Sequence, residues 1–352
     1  MYTVPKPRGE NDSQPEPPIS SSDSDPAASG VQRLPSVAKS RLKAKEGFFA
    51  DALFRTIVIL CALALVAVVG LILYELVAQS RPTLEKFGFK FLGKAIWDPV
   101  AEDFGALPFI YGTLVSSLVA LVIAVPLSLA TALFLTELCP RRLRPILSLL
   151  VELLAAIPSV IYGVWGLFIL SPFLRVYIQP VLAKYLGWTG LFSGPKYGFG
   201  MLAAGVILAI MILPIISSIT REVITAVPRQ QREAALALGA TKWEMLRMAV
   251  LRNARAGIMG AVILGLGRAF GETMAVTMVI GNRPEISRSL FAPGYTLASV
   301  VANEFSEAFG RLHLSALMEA ALILFAITLV VNALAMLLVW SITRGLPSRS
   351  IA

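Results

Sequence analysis

The chain alternates between long apolar blocks and short polar connections, after a polar opening. Six apolar stretches stand out, at about 56–78, 109–136, 146–170, 199–220, 255–281 and 315–342. Each suits a helix crossing a hydrocarbon layer of about 30 Å, which takes roughly 20 residues. Backbone N–H and C=O groups find no water in lipid, so these spans are predicted to be helices that bond internally. The pattern predicts an all-α polytopic membrane protein with six transmembrane helices. Pro126, Pro158 and Pro214 fall inside the predicted spans, where kinks are tolerated. The fifth span is crowded with Gly257, Gly260, Gly265, Gly267 and Gly271, a spacing that lets helix backbones approach closely.

Residues 1–48 read as a different polymer, rich in Pro, Ser and Asp. Such a segment buries too little apolar surface to offset its ordering entropy. It is predicted to be a disordered cytoplasmic N-terminal extension, with no apolar core near its start that would make it a cleavable signal. Its closing run, Lys39, Arg41, Lys43 and Lys45, suits a juxtamembrane anchor on anionic lipid. Residues 49–352 form the transmembrane domain.

Composition narrows the class further. Only 15% of the 352 residues are charged and 56% are hydrophobic, against about 25% charged in soluble domains. The mean hydropathy of +0.74 agrees. The net charge of +9 does not indicate nucleic acid, because the basic residues sit at the ends of apolar blocks. They are in excess on the side holding both termini, which are therefore predicted to be cytoplasmic. Cys61 and Cys139 form no CxxC pair, so no disulfide framework or zinc site is expected. The single histidine, His313, reads as an interfacial residue, since one imidazole makes no metal-ligand cluster. Gly88 to Ala95 has the GxxxxGK spacing of a phosphate loop. However, Ala95 replaces the Ser or Thr that would hold Mg2+, and no strand precedes the segment. No Ser/His/Asp set occurs, so no catalytic residues and no enzyme active site are expected.

The loop at about 221–254 carries the first candidate chemistry. Pro228 is suited to opening a helix, and Gln230 to Leu238 is a strong helix former. Gly239 is placed to end it in a left-handed conformation. Thr241-Lys242-Trp243-Glu244 then has the form of a capping box starting a second helix. Two short helices with a sharp turn between them are predicted. They suit either an amphipathic hairpin resting on the membrane or a helix docking into a partner's groove.

The second candidate lies in the fifth span, where Arg268 and Glu272 are four residues apart. On a continuous helix they share a face. An arginine near mid-bilayer costs about 2.5–3.5 kcal/mol on insertion scales, so it is kept where it pairs or lines a polar path. Two roles follow: an ion pair that fixes helix packing, or an anion path. In the second, Arg268 offers a guanidinium fork to oxyanion oxygens and Glu272 balances it while no anion is present. Thr273 and Thr277 would add hydroxyls, unless they bond back to their own helix. Glu137, Glu152 and Glu319 are further carboxylates in or near spans, accounted for by salt bridges or solvated helix ends.

Two stretches carry a family resemblance. Glu233-Ala234-Ala235, three residues, then Gly239 resembles the EAA motif of ATP-binding-cassette (ABC) importer permeases. That implies an ABC importer (type I, MetI-like) permease fold and a coupling helix seated on a separate ATPase. The pattern departs from the family after Val250-Leu251, where Arg252 stands in place of the usual proline. GLGRAFGETMAVTMVIGN, Gly265 to Asn282, resembles the signature of the phosphate permease subunits, the PstC family. Tyr111 to Leu114, Phe134 to Leu138, Glu152 to Ser159 and Ala302 to Phe305 extend the likeness. It covers about Asp51 to Trp340. The resemblance implies inorganic phosphate transport across a bacterial inner membrane, with Arg268 and Glu272 in the substrate path. It also implies a heterodimer with a sister permease (PstA-like), an ATPase dimer (PstB-like) and a periplasmic phosphate-binding protein (PstS-like). ATP and Mg2+ would act on the partner ATPase, with no cofactor in this chain. By residue type alone, sulfate, molybdate or phosphonate remain open as cargo. An ATP-independent secondary transporter would have no use for the Glu-Ala-Ala loop.

Overall fold

The computed structural model describes residues 37–343. Of the extension at 1–48, residues 1–36 lie outside the described residues, and helix α1 begins at Val37 and runs to Phe87. Residues up to Val66 and residues from Ala67 onward form separate units and are described separately. Among the described residues, six helices are long and apolar enough to cross a membrane: Asp51–Phe87, Leu107–Leu138, Ser159–Thr189, Met201–Thr225, Lys242–Gly271 and Arg311–Ser341. No strand occurs among them beyond an isolated bridge between Asp98 and Asp103.

In chain order after α1 come α2 (Leu107–Leu138) and α3 (Arg144–Ala156). Next are α4 (Ser159–Thr189), α5 (Met201–Thr225) and α6 (Arg229–Ala237). The chain finishes with α7 (Lys242–Gly271), α8 (Met274–Ile280), α9 (Leu297–Glu304) and α10 (Arg311–Thr343). Helix α5 is the most buried of the six spanning helices. It packs against α2, α7 and α3, and its Ile207, Leu208, Ile212 and Ile216 fill the main core. Two of the fifth-span glycines allow the close approach of α7 to α5. A methyl on Gly265 would stand 2.7 Å from Ile216 Cγ1, and one on Gly257 2.5 Å from Val223 Cγ1.

The third and fifth spans differ from the expectation. The third was placed at 146–170. Instead, Ile157 and Pro158 take extended ψ angles of 129° and 140°, because the residue before a proline is pushed out of the helical region. The break leaves α3 as a separate 13-residue helix, about 20 Å long, and shifts the span to Ser159–Thr189. Glu152 is therefore not in a span; it pairs with Arg221 of α5 at 2.8 Å. The fifth span was drawn as one helix over 255–281. It stops at Gly271, and α8 follows after Glu272 and Thr273. Two glycines in its last turn, Gly267 and Gly271, weaken the helix there, a signal that the unbroken apolar run hides.

Helix α2 links two contrasting ends. At its start, Phe109 joins Phe91, Phe104, Tyr295 and Leu297 in an aromatic-rich cluster. Trp97 sits edge-on to Phe104 and Phe109, both at 4.8 Å. Glu304 accepts hydrogen bonds from Trp97 Nε1 at 2.9 Å and contacts His313 Nε2 at 3.1 Å. His313 also stacks on Phe104. Burial pushes the Tyr295 phenol up from its ordinary value, so it stays a neutral partner for the Asn303 amide. Thr83 of α1 bonds Ser315 of α10 at 2.7 Å between the hydroxyls. The segment Gly88 to Ala95 contains a four-residue helical turn, Lys90–Gly93, and Lys94 is ion-paired with Asp103. At its other end, α2 finishes in a wider π-type turn, Phe134–Leu138, against the segment that follows α5.

Candidate functional site

The segment after α5 folds as a hairpin. Pro228, extended at ψ 137°, leads into α6, which holds Glu233, Ala234 and Ala235. Gly239 has φ +84°, a left-handed conformation costly for any residue with a Cβ. It lets the Ala240 amide reach back to the Ala235 carbonyl at 3.2 Å. Thr241 and Glu244 form the expected capping box, with Glu244 Oε2 accepting from the Thr241 amide at 2.8 Å. The second element is not a separate short helix. Lys242 opens a run that passes through a π-type turn at Leu246–Leu251 and continues unbroken to Gly271. Arg252, where the family pattern has a proline, is an ordinary helical residue.

Helix α6 is fastened to the bundle on one side and bare on the other. Arg232 Nη1 pairs with Glu137 at 2.9 Å, with the two side chains 21% and 15% exposed. Arg232 Nη2 also donates to the Ile224 carbonyl at 2.7 Å. Ala235 packs onto a cluster of Ala132, Ile224, Met245, Leu246 and Val250. Gln231 accepts from Asn253 at 2.6 Å. Glu233, Ala234 and Gly239 are exposed, and beside them Leu238 is 90% and Trp243 61% exposed. A helix held along one face, with large apolar side chains presented on the other, is shaped to seat in a groove.

Arg268 and Glu272 line one cleft of about 920 Å3 among α5, α7 and α10. They do not act as an i, i+4 pair. Glu272 is extended, with φ −74° and ψ 125°, so it has left the helix on which the spacing rule holds. Among the described residues no ion pair within 4.0 Å joins them. Arg268 lies in the last turn of α7, where the negative end of the helix dipole favours a cation. Glu272 is 8% exposed. Gly260, Gly267 and Gly271 line the same cleft, and their missing side chains keep it open. Apolar residues including Ile215, Ile263, Leu264 and Met336 complete the walls.

Thr273 and Thr277 are not among the residues that line the cleft. The Thr277 hydroxyl donates to the Thr273 carbonyl at 2.8 Å, so it is occupied within its own helix. Asn332 was not singled out from the sequence. It lines the cleft, its Oδ1 is buried without a hydrogen-bond partner, and Gly267 faces its amide nitrogen. An isolated amide inside an apolar span is the signal that could have found it.

The family described as binding-protein-dependent transport system inner membrane component matches residues 123–345. A relative from Mesorhizobium japonicum, named phosphate transport system permease protein PstC, is 50% identical over 87% of this chain and 96% of its own length. One of the same name from Haemophilus influenzae is 47% identical over 82% and 93%. A probable phosphate transport system permease protein PstC from Methanocaldococcus jannaschii is 37% identical over 72% and 82%. Among solved structures, an inward-facing conformation of the MetNI methionine ABC transporter is 18% identical, with a TM-score of 0.48, over 68% of this chain and 94% of that chain. With a family match across most of the spanning helices and relatives near 50% identity over nearly their whole length, this chain belongs to the PstC family of binding-protein-dependent transport system inner membrane components.

Proposed function

We propose that this chain is the multi-pass permease subunit through which a bacterial inner-membrane ABC importer carries inorganic phosphate. Its partners are a PstA-like sister permease, a dimer of PstB-like ATPase subunits and a PstS-like periplasmic phosphate-binding protein. ATP and Mg2+ act on the ATPase subunits, and this chain receives the motion. The names of its relatives support phosphate as cargo.

The observation that carries the reading within the molecule is Arg268. Its guanidinium lines an otherwise largely apolar cleft with no carboxylate in ion-pairing distance among the described residues. A guanidinium offers paired N–H donors matched to two oxygens of a tetrahedral oxyanion. The α7 dipole and Glu272, buried in the same cleft, balance that charge while it is empty. Because Glu272 does not clamp Arg268, the donors are free to meet an anion.

Energy enters through α6. A partner ATPase seated on Glu233, Ala234 and the apolar residues around Gly239 moves α6. The Arg232–Glu137 pair carries that motion to α2, and the capping box at Thr241 carries it to α7. Helix α7 then runs without a break to Arg268. The ATP-hydrolysing step and the anion are thus joined by one continuous helix.

The test is uptake of labelled phosphate by the reconstituted complex. Arg268→Gln is expected to lower uptake by about 100-fold, as for truncating one partner of a buried charged contact, while the partner subunits still copurify. Excess unlabelled sulfate should not compete in the wild type. Undiminished uptake by the variant would remove Arg268 from the path, and full competition by sulfate would change the cargo.

A further inference from the structure

A second cavity, of about 600 Å3, lies at the end of the bundle that carries α6. It is an open groove bordered by the π-type turn of α2, the start of α3 and the end of α5. Thr136, Arg144, Ser148, Arg221, Glu222 and Thr225 supply its polar lining. Arg144 Nη2 donates to the Thr136 carbonyl at 2.6 Å, and its Nε is buried without a partner. No carboxylate lies within 4.0 Å of Arg144 among the described residues. Arg221 is held at the cavity by Glu152. Arg141 and Arg142 stand exposed in the turn just before α3. Together with the two cavity arginines they outnumber the neighbouring carboxylates, Glu222, Glu152 and Glu137.

Helix α3 sets this cavity in a particular place. Ile146, Leu149, Leu150, Leu153 and Leu154 recur at helical spacing and are all exposed. Arg144, Leu147, Ser148 and Val151 form the half-buried stripe on its other side, and α3 packs against α5. Its apolar stripe therefore faces outward while Arg144 and Ser148 face the cavity. A helix too short to span, with leucines outward and arginines at its start, suits the boundary between headgroups and acyl chains. Basic pockets at such a boundary on the cytoplasmic side take anionic headgroups.

We propose that this cavity binds a phosphate-group anion, either an anionic lipid headgroup or the free anion, held by Arg144 and Arg221. Arg144 and Ser148 both line the cavity, so a guanidinium and a hydroxyl stand at the place the anion would occupy. The site is joined to energy coupling, because Thr136, whose carbonyl Arg144 holds, precedes Glu137, the anchor of α6. An occupied site stiffens the turn that fastens the coupling helix.

The experiment uses the full-length chain in detergent, as wild type, Arg144→Gln, Ser148→Phe and Lys184→Gln. Ser148→Phe fills the cavity while leaving the Arg144–Thr136 bond in place, and Lys184 is a basic residue outside the cavity. One arm measures retention of phosphatidylglycerol against phosphatidylcholine by native mass spectrometry. The other titrates inorganic phosphate by calorimetry. For a lipid headgroup, wild type and Lys184→Gln prefer phosphatidylglycerol by at least ~10-fold, as a charged guanidinium contact allows. Arg144→Gln and Ser148→Phe lose that preference. For the free anion, a phosphate signal that persists when Arg268→Gln is added to the wild type disappears when either of the same two substitutions is combined with it. If neither binding depends on Arg144 and Ser148, the proposal is overturned.

Discussion

Replacing Glu137 by glutamine removes the charge that holds α6 to the end of α2 while keeping the shape of the side chain. The Arg232–Glu137 contact of 2.9 Å is mostly but not fully withdrawn from solvent. Exposed pairs contribute about 0.2–1 kcal/mol, and stripping one partner from a buried pair costs about 3–5 kcal/mol. Exposures of 21% and 15% place this pair between those limits, at about 2 kcal/mol. Arg232 keeps its bond to the Ile224 carbonyl, so α6 is expected to stay helical but to detach more often. A loss of about 2 kcal/mol in local opening free energy is about 30-fold in amide protection. Hydrogen exchange of the purified chain should show that loss across Arg229 to Leu238 and leave α5 unchanged. Arg232→Gln should cost more, since it also removes the bond to the Ile224 carbonyl, and the double variant should cost little more than Arg232→Gln alone, because the ion pair is already gone. Full additivity, or unchanged protection in Glu137→Gln, would refute the idea that this pair fastens the coupling helix.

Two further substitutions test the packing and the turn. Gly265→Val should cost about 1–3 kcal/mol through overpacking against Ile216, read as a lower thermal midpoint in detergent. Gly260→Ala, which meets no atom within 4 Å, should not lower that midpoint and is expected to raise it slightly through helix propensity. Gly239→Ala should destabilise the hairpin by about 1–2 kcal/mol, because φ +84° forces a Cβ into a left-handed conformation. The readout is faster amide exchange at Leu238 to Thr241.

The sequence reveals the helical class, the number of spans, and the first helix, turn and capping box of the segment after α5 directly. Apolar run length and capping residues act locally, so Thr241 and Glu244 announce their helix start without help from the rest of the fold. Breaks inside apolar runs are less legible. The apolar run presents Pro158 as a tolerated kink, yet with Ile157 it ends α3 and moves the third span toward Thr189. Glu272 sits in a run whose apolar period continues on both sides, and only two glycines hint that the helix stops there. The i, i+4 rule therefore put Arg268 and Glu272 on one face, whereas the cleft brings them together without an ion pair. Asn332 reaches that cleft from α10, and local pattern alone does not pair α7 with α10.

The interruption at Glu272 and Thr273 gives α7 a hinge beside the cleft and, under the coupling proposed above, a driven end at the hairpin. A rod of 30 residues is about 45 Å long. If it swings about the interruption by about 3°, its far end travels about 2 Å, the scale of helix shifts in switching transitions. Arg268 lies within one turn of the pivot and moves only a few tenths of an ångström. If Arg268 meets the anion as proposed, the stroke is scaled down on its way there, and the cleft would open toward the hairpin while the guanidinium stays in register. Release would come from widening the exit rather than from pulling the arginine away.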